Sequence, residues 1–204
     1  MKTHRKIFWL LVAFVALAIP AFGDAVFTMG DHPQPNEQNI LFLTDMMGAP
    51  GTPIDGHTNI TDTIVQYVST TDTLIGSGGQ SDIDAADGLI NNIRITASGH
   101  SFQDLIINPF KPTSDGDLVV TVITNTGPFH FTYGDIHGDN FLTITTSMGE
   151  VIDSVTINSI NGFQGLKQTR ISGVSAGVIP EPSSMLLLGS GLLAVGVMIR
   201  RKLS

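Results

Sequence analysis

The densest run of side chains able to do chemistry is residues 81–88, SDIDAADG, where Asp82, Asp84 and Asp87 present carboxylate oxygens close together. Hard oxygen donors at that density suit Ca²⁺, which takes about six to eight oxygens and is abundant outside cells. An EF-hand loop opening at Asp82 needs its third ligand at position 86, which is Ala86, and it lacks the closing glutamate. The run therefore reads either as a calcium loop of another kind or as a solvated acidic turn. Asp115 with Asp117, and Asp135 with Asp139, are sparser versions of the same pattern. His130 and His137 flank Asp135 in FHFTYGDIHGD, and these are ligand types a transition metal accepts. Their spacing leaves convergence to the fold, and the plain alternative is one wet-face histidine and one turn histidine.

Hydrolytic chemistry lacks its marks. The chain has no Gly-x-Ser-x-Gly elbow and no His-Glu-x-x-His, and Gly189-Ser190-Gly191 sits inside an apolar run. Glu37 and Glu150 are the only glutamates between residues 24 and 180, and no catalytic residue is assigned. The expectation is a protein that is not an enzyme and holds no cofactor apart from the candidate Ca²⁺ at Asp82, Asp84 and Asp87. A sugar-binding surface usually shows aromatic platforms. Here only Tyr67 and Tyr133 are on hand once Trp9 leaves with the N-terminal segment, and the phenylalanines read as core. A glycan site would rest on polar side chains. The absence of cysteine excludes disulfides, thiolate catalysis and Cys-ligated zinc.

The two ends of the chain position this middle. Lys2, Arg5 and Lys6 precede an apolar run at residues 7–19, then Pro20 and the small residues Ala21 and Gly23. That is the order of a secretory signal, assigned to residues 1–23. At the other end Pro180 and Pro182 flank Glu181, and two prolines with fixed φ and no amide hydrogen hold that stretch extended and open to an enzyme. Residues 183–199 carry no charge and as a helix would reach about 25 Å, enough for a thin bilayer. Arg200, Arg201 and Lys202 follow at once and would stay on the cytoplasmic side, which places the bulk of the chain outside.

With both ends removed, residues 24–180 keep four Lys and Arg against seventeen Asp and Glu, a net charge of −13. Such a surface repels phosphate backbones and excludes nucleic acid as a partner. Between the ends, short runs of Val, Ile, Thr and Phe alternate with Gly, Asn, Asp and Pro clusters, and no dozen residues show helical apolar spacing. Strands are predicted at residues 39–44, 63–69, 89–97, 102–108, 118–124, 129–133, 141–146, 151–157 and 168–174. Residues 33–53, with four prolines, are predicted to form an irregular entry loop. The fold class is all-β, and nine short antiparallel strands without a covering helix are most simply solved as one β-sandwich of jelly-roll type over residues 24–177.

The ordered elements Pro180-Glu181-Pro182, apolar stretch and Arg200-Arg201-Lys202 resemble the PEP-CTERM sorting signal of Gram-negative envelope and biofilm bacteria, also labelled an ice-binding protein C-terminal domain; here it spans residues 178–204. The resemblance implies an exosortase, an integral-membrane cysteine transpeptidase, as the partner that cuts at Pro180, Glu181 and Pro182. It also implies a passing stay in the inner membrane and delivery to the cell surface or extracellular matrix, where exopolysaccharide or another surface glycan is the expected partner. On that reading the protein is an exported structural or adhesive protein, the alternative being a secreted carbohydrate-binding or carbohydrate-active β-sandwich. Residues 56–59 (GHTN), 79–88 (GQSDIDAADG), 102–108 (FQDLIIN), 140–144 (NFLTI) and 163–173 (FQGLKQTRISG) are similar to a group of secreted β-sandwich domains with the same tail, which implies a fold and no activity.

Overall fold

A computed structural model describes residues 24–42, 50–114, 117–134 and 140–176. These residues form fifteen strands: β1 Ala25–Met29, β2 Gln38–Leu41, β3 Pro50–Gly51, β4 Ile54–Thr58, β5 Ile64–Val68, β6 Leu74–Ser77, β7 Asp82–Ala85, β8 Ile90–Ala97, β9 His100–Ser101, β10 Asp104–Pro112, β11 Leu118–Thr124, β12 Pro128–Thr132, β13 Leu142–Thr146, β14 Ile152–Ser172 and β15 Ser175–Ala176. Every pairing between them is antiparallel.

β14 is the spine. Its 21 residues are flanked in the first half by β11 and β8, and in the second half by β10, β7 and β2. The pairings β14–β2, β2–β4, β4–β5, β5–β8 and β8–β14 close on themselves, so five strands form a barrel. Closure removes the edges that an open sheet would leave. On the other side of β14, β10–β13–β1 and β11–β12 run out to two free edges, β1 and β12, which meet through stacked Phe27 and Phe131 rings 5.5 Å apart. The all-β class is as expected. The jelly-roll arrangement of two facing sheets is corrected: one hydrogen-bonded network of thirteen strands wraps around β14.

The bend of β14 is fixed by a residue distant in sequence. Register shifts between Asn158 and Phe163, and the Asp117 carboxylate caps the turn there, accepting from the Ile160 and Asn161 amides and the Ser159 hydroxyl, each at 2.7 Å. Gly162 follows with φ +83°. One apolar core spans both sides of the spine, including Ile40, Tyr67, Ile93 and Ile157 on the barrel side and Leu105, Ile144 and Val122 on the other. β8 shows the alternation expected of it, with Ile93, Ile95 and Ala97 buried and Arg94 exposed. β2 overlaps the strand predicted at residues 39–44 and is a barrel strand, while the irregular entry loop predicted over residues 33–53 is corrected, since β2 and β3 lie within it.

The chain is clasped where it enters. Arg170 on β14 donates to Glu37 at 2.8 Å and to Asp31 at 2.6 Å, tying the segment between β1 and β2 across the second half of the spine.

Candidate functional site

Strand alternation decides what the acidic run can do. Ile83 and Ala85 of β7 point into the core, so Asp82 and Asp84 share the outward face. Lys167 on β14 lies 3.4 Å from Asp82 Oδ2 and supplies the charge a cation would have brought. Burial, and after it the neighbouring Asp82 carboxylate, raise the Asp84 pKa while Lys167 opposes them. Asp87 sits beyond the strand end, exposed. Among the described residues no three His, Asp or Glu side chains gather closely enough to hold a metal ion. The three aspartates read together in the sequence are therefore two neighbours facing a lysine and one turn residue.

Other candidates take structural places. His130 meets the Thr121 hydroxyl at 3.0 Å on an exposed face, while Asp115, Asp135, His137 and Asp139 lie outside the described residues. Tyr67 and Tyr133 are fully buried, bonded to Ser81 at 3.0 Å and to the Asn140 carbonyl at 3.1 Å, and burial raises both phenol pKa values. Neither offers a sugar platform. Glu37 is held by Arg170, and Glu150, also buried, accepts from the hydroxyls of Thr124 and Thr126. Each glutamate is bound by its own partners.

A cleft ringed by polar residues, with more apolar than polar surface inside it, opens where the bend of β14 meets β8 and β11, and nothing in the sequence pattern announced it. Its volume is about 630 Å³, and it is lined by Thr70, Asp72, Asp87, Asn92, Asp117 and Asn158 among others, with Val119 and Ile160 as its apolar patches. Asn92 and Asn158 are cross-strand partners, and their side chains meet at 2.5 Å. Asp72 is buried, and one carboxylate oxygen accepts from the hydroxyls of Ser69 and Thr71 and the amides of Asn91 and Asn92 at 2.7–3.2 Å. For Asp72 and Asp117 alike, burial pushes the pKa up and these donors outweigh it, so both lie below the usual carboxylate range. Both carboxylates stay charged in neutral water, and among the described residues no Lys or Arg lines the cleft.

The described chain ends on a small sheet of its own. β15 pairs with β9, Ser175 opposite Ser101 and Ala176 opposite His100, four residues short of Pro180. The candidate sorting residues Pro180, Glu181, Pro182, Arg200, Arg201 and Lys202, the spanning helix expected at residues 183–199, and the signal segment 1–23 lie outside the described residues. Among the described residues no helix is long and apolar enough to cross a membrane.

An all-β domain followed in sequence by Pro-Glu-Pro, an apolar run and a basic tail is the layout of an exported protein destined for sorting. A family model described as the PEP-CTERM protein-sorting motif matches residues 178–202, so the chain carries that motif. No curated protein and no solved structure matches the chain. The motif implies export, an exosortase as processing partner, and a surface or extracellular destination.

Proposed function

We propose that this is a structural or adhesive protein of the cell envelope or extracellular matrix. Its C-terminal segment holds it in the inner membrane until an exosortase cuts at Pro180-Glu181-Pro182 and passes the all-β domain to the surface. The observation that carries this reading is the sorting motif at residues 178–202, which begins two residues after the last strand. A closed barrel fused to strands on a common spine, with net charge −13 over residues 24–180, suits a soluble stalk or matrix unit. The expected mature product from a host with an exosortase starts near Asp24, ends near Pro180–Pro182 and lies outside the inner membrane. Intact mass after fractionation checks this. Replacing Pro180, Glu181 and Pro182 by alanine is expected to leave at least nine-tenths of the chain full-length in the inner membrane, roughly a tenfold loss; release at the normal rate defeats the reading.

The cleft favours carbohydrate binding as the second reading. Its carboxylates and amides match sugar hydroxyls, Val119 and Ile160 offer apolar surface, and its negative charge selects neutral glycans over uronates. Mature protein is expected to be retained by a neutral polysaccharide matrix at high salt, and Asn158→Ala is expected to weaken retention about tenfold, the effect of one lost hydrogen-bonding group of about 1.5 kcal/mol. Equal retention of wild type and variant removes the cleft as the site.

A further inference from the structure

We propose that β15 is part of what the exosortase must take. The chain is processed through a state in which Ser175–Ala176 has left β9, and this two-residue sheet sets how fast the domain is released. The inference rests on the sorting reading above and concerns how the folded domain presents its tail.

Reach is the first argument. From Ala176, the last paired residue among those described, to Pro180 the chain advances four residues, at most about 14 Å when fully extended. An ordinary strand of five or six residues is already about 17–20 Å long. A domain of some 150 residues has a radius of gyration of about 15 Å. The tether between the paired strand and the cut is thus shorter than an extended substrate segment and shorter than the body it must clear. An enzyme seated in the bilayer gains room only if the domain yields chain.

The structure shows where that chain is yielded. β14 ends firmly: Ser172 donates to Asp104 at 2.5 Å, and its carbonyl accepts from the Gln103 amide at 3.0 Å. Gly173 then turns the corner with φ +63°, and a Cβ there would lie 2.7 Å from the Gln103 side chain, so glycine is required. Val174 packs half-buried against the core. Among the described residues β15 alone follows, with two register pairs and a long side-chain contact, Ser101 Oγ to Ser175 Oγ at 3.3 Å. A two-stranded pair so short has little stability of its own. Its release moves the last anchor back to Val174 and lengthens the tether to about 22 Å, while the core and the β14 spine stay closed.

The chain has no cysteine, so one engineered disulfide reports on this sheet alone. Ser101 and Ser175 are direct cross-strand partners, and Cα separations of antiparallel partners, about 4.5–5.5 Å, fall within disulfide range. The full chain is followed by pulse-chase in a host carrying an exosortase, as wild type, S101C, S175C and S101C/S175C. A fifth variant adds six Gly/Ser residues after Gly177 to the double cysteine. Cross-linked S101C/S175C is expected to convert at least tenfold more slowly than either single variant, and the spacer is expected to restore conversion to within about twofold of wild type. Conversion of the cross-linked chain at the single-variant rate overturns the proposal, as does a slow variant that the spacer leaves slow. Failure of the sorting reading looks different: the triple alanine variant at 180–182 is then processed like wild type.

Discussion

Phe163→Ala is expected to lower the unfolding free energy of the domain by about 3–5 kcal/mol, the cost of emptying a buried aromatic site. Phe163 is fully buried at the joint of β14, opposite Ile90 on β8 and opposite Pro112 on β10. With Ile157 and Ile171, it is one of the β14 residues paired on one side with a barrel strand and on the other with an outer strand. Loss of its ring therefore loosens both at once. For a domain of this size the expected fall in Tm is roughly 6–20 °C, at about 2–4 °C per kcal/mol. Against a typical total stability of about 5–15 kcal/mol, a large share of the margin goes. Thermal unfolding of the mature protein followed by circular dichroism checks it; a fall of under about 3 °C shows that the joint carries no special weight. Ile160→Ala, three residues earlier on an 88% exposed side chain, is the control and is expected to leave Tm within about 2 °C.

How much of this was legible depended on whether the cause was local. β11 is found at the predicted residues, Leu118–Thr124, and β8 within one residue, because local runs of apolar and β-branched residues bounded by turn residues mark each. β4 and β6 were missed because each is short and carries a glycine, Gly56 and Gly76, at its centre. In the fold they are places of close approach: a Cβ on Gly56 would lie 2.5 Å from Ile40 Cγ2, and one on Gly76 would lie 2.9 Å from the Phe42 ring. β7 was missed for the opposite reason, since two aspartates on its outward face look like a loop until Ile83 and Ala85 are seen to alternate with them. β14 was predicted as two strands with a gap at residues 158–167, and the gap is the bend capped by Asp117, whose partners lie 42–44 positions away. The sorting motif was legible because about 25 contiguous residues carry it. The cleft was not, because Thr70, Asn92, Asp117 and Asn158 meet only through the pairing of β8, β11 and the spine.

Asp72→Ala is expected to cost about 3 kcal/mol at neutral pH and to flatten the acid limb of the stability curve. The carboxylate holds two hydroxyls and the amides of Asn91 and Asn92, which start the buried half of β8. Its removal leaves buried donors without an acceptor, at about 1–3 kcal/mol for each that water does not reach, and the open cleft beside them lets water reach some. The pH dependence follows from the direction of the pKa. The Asp72 carboxyl lies below its unfolded value in the folded state, because the donors prevail over burial. A group depressed on folding adds stability that is present above the unfolded pKa, near 3.9, and is lost as pH falls through the lower folded value. Asp117 is depressed the same way and adds to the loss in that window. Asp84 and Asp104 are shifted up, chiefly by burial, and work against it: their charged forms are the costly ones, so protonation relieves the fold as pH drops through their folded values. The contribution of Asp72 and Asp117 is expected to be steady from pH 7 to about 4 and to be lost below it, with Asp84 and Asp104 acting in the opposite direction. Asp72→Ala is expected to melt roughly 6–12 °C lower than wild type at pH 7, and the gap is expected to narrow as pH falls below about 4, since Asp72 surrenders its charge-assisted bonds as it protonates. A gap between the two that stays constant from pH 7 to pH 3 shows that the side chain stabilises by packing alone and that its charge does not hold β8 to the loop at residues 69–72.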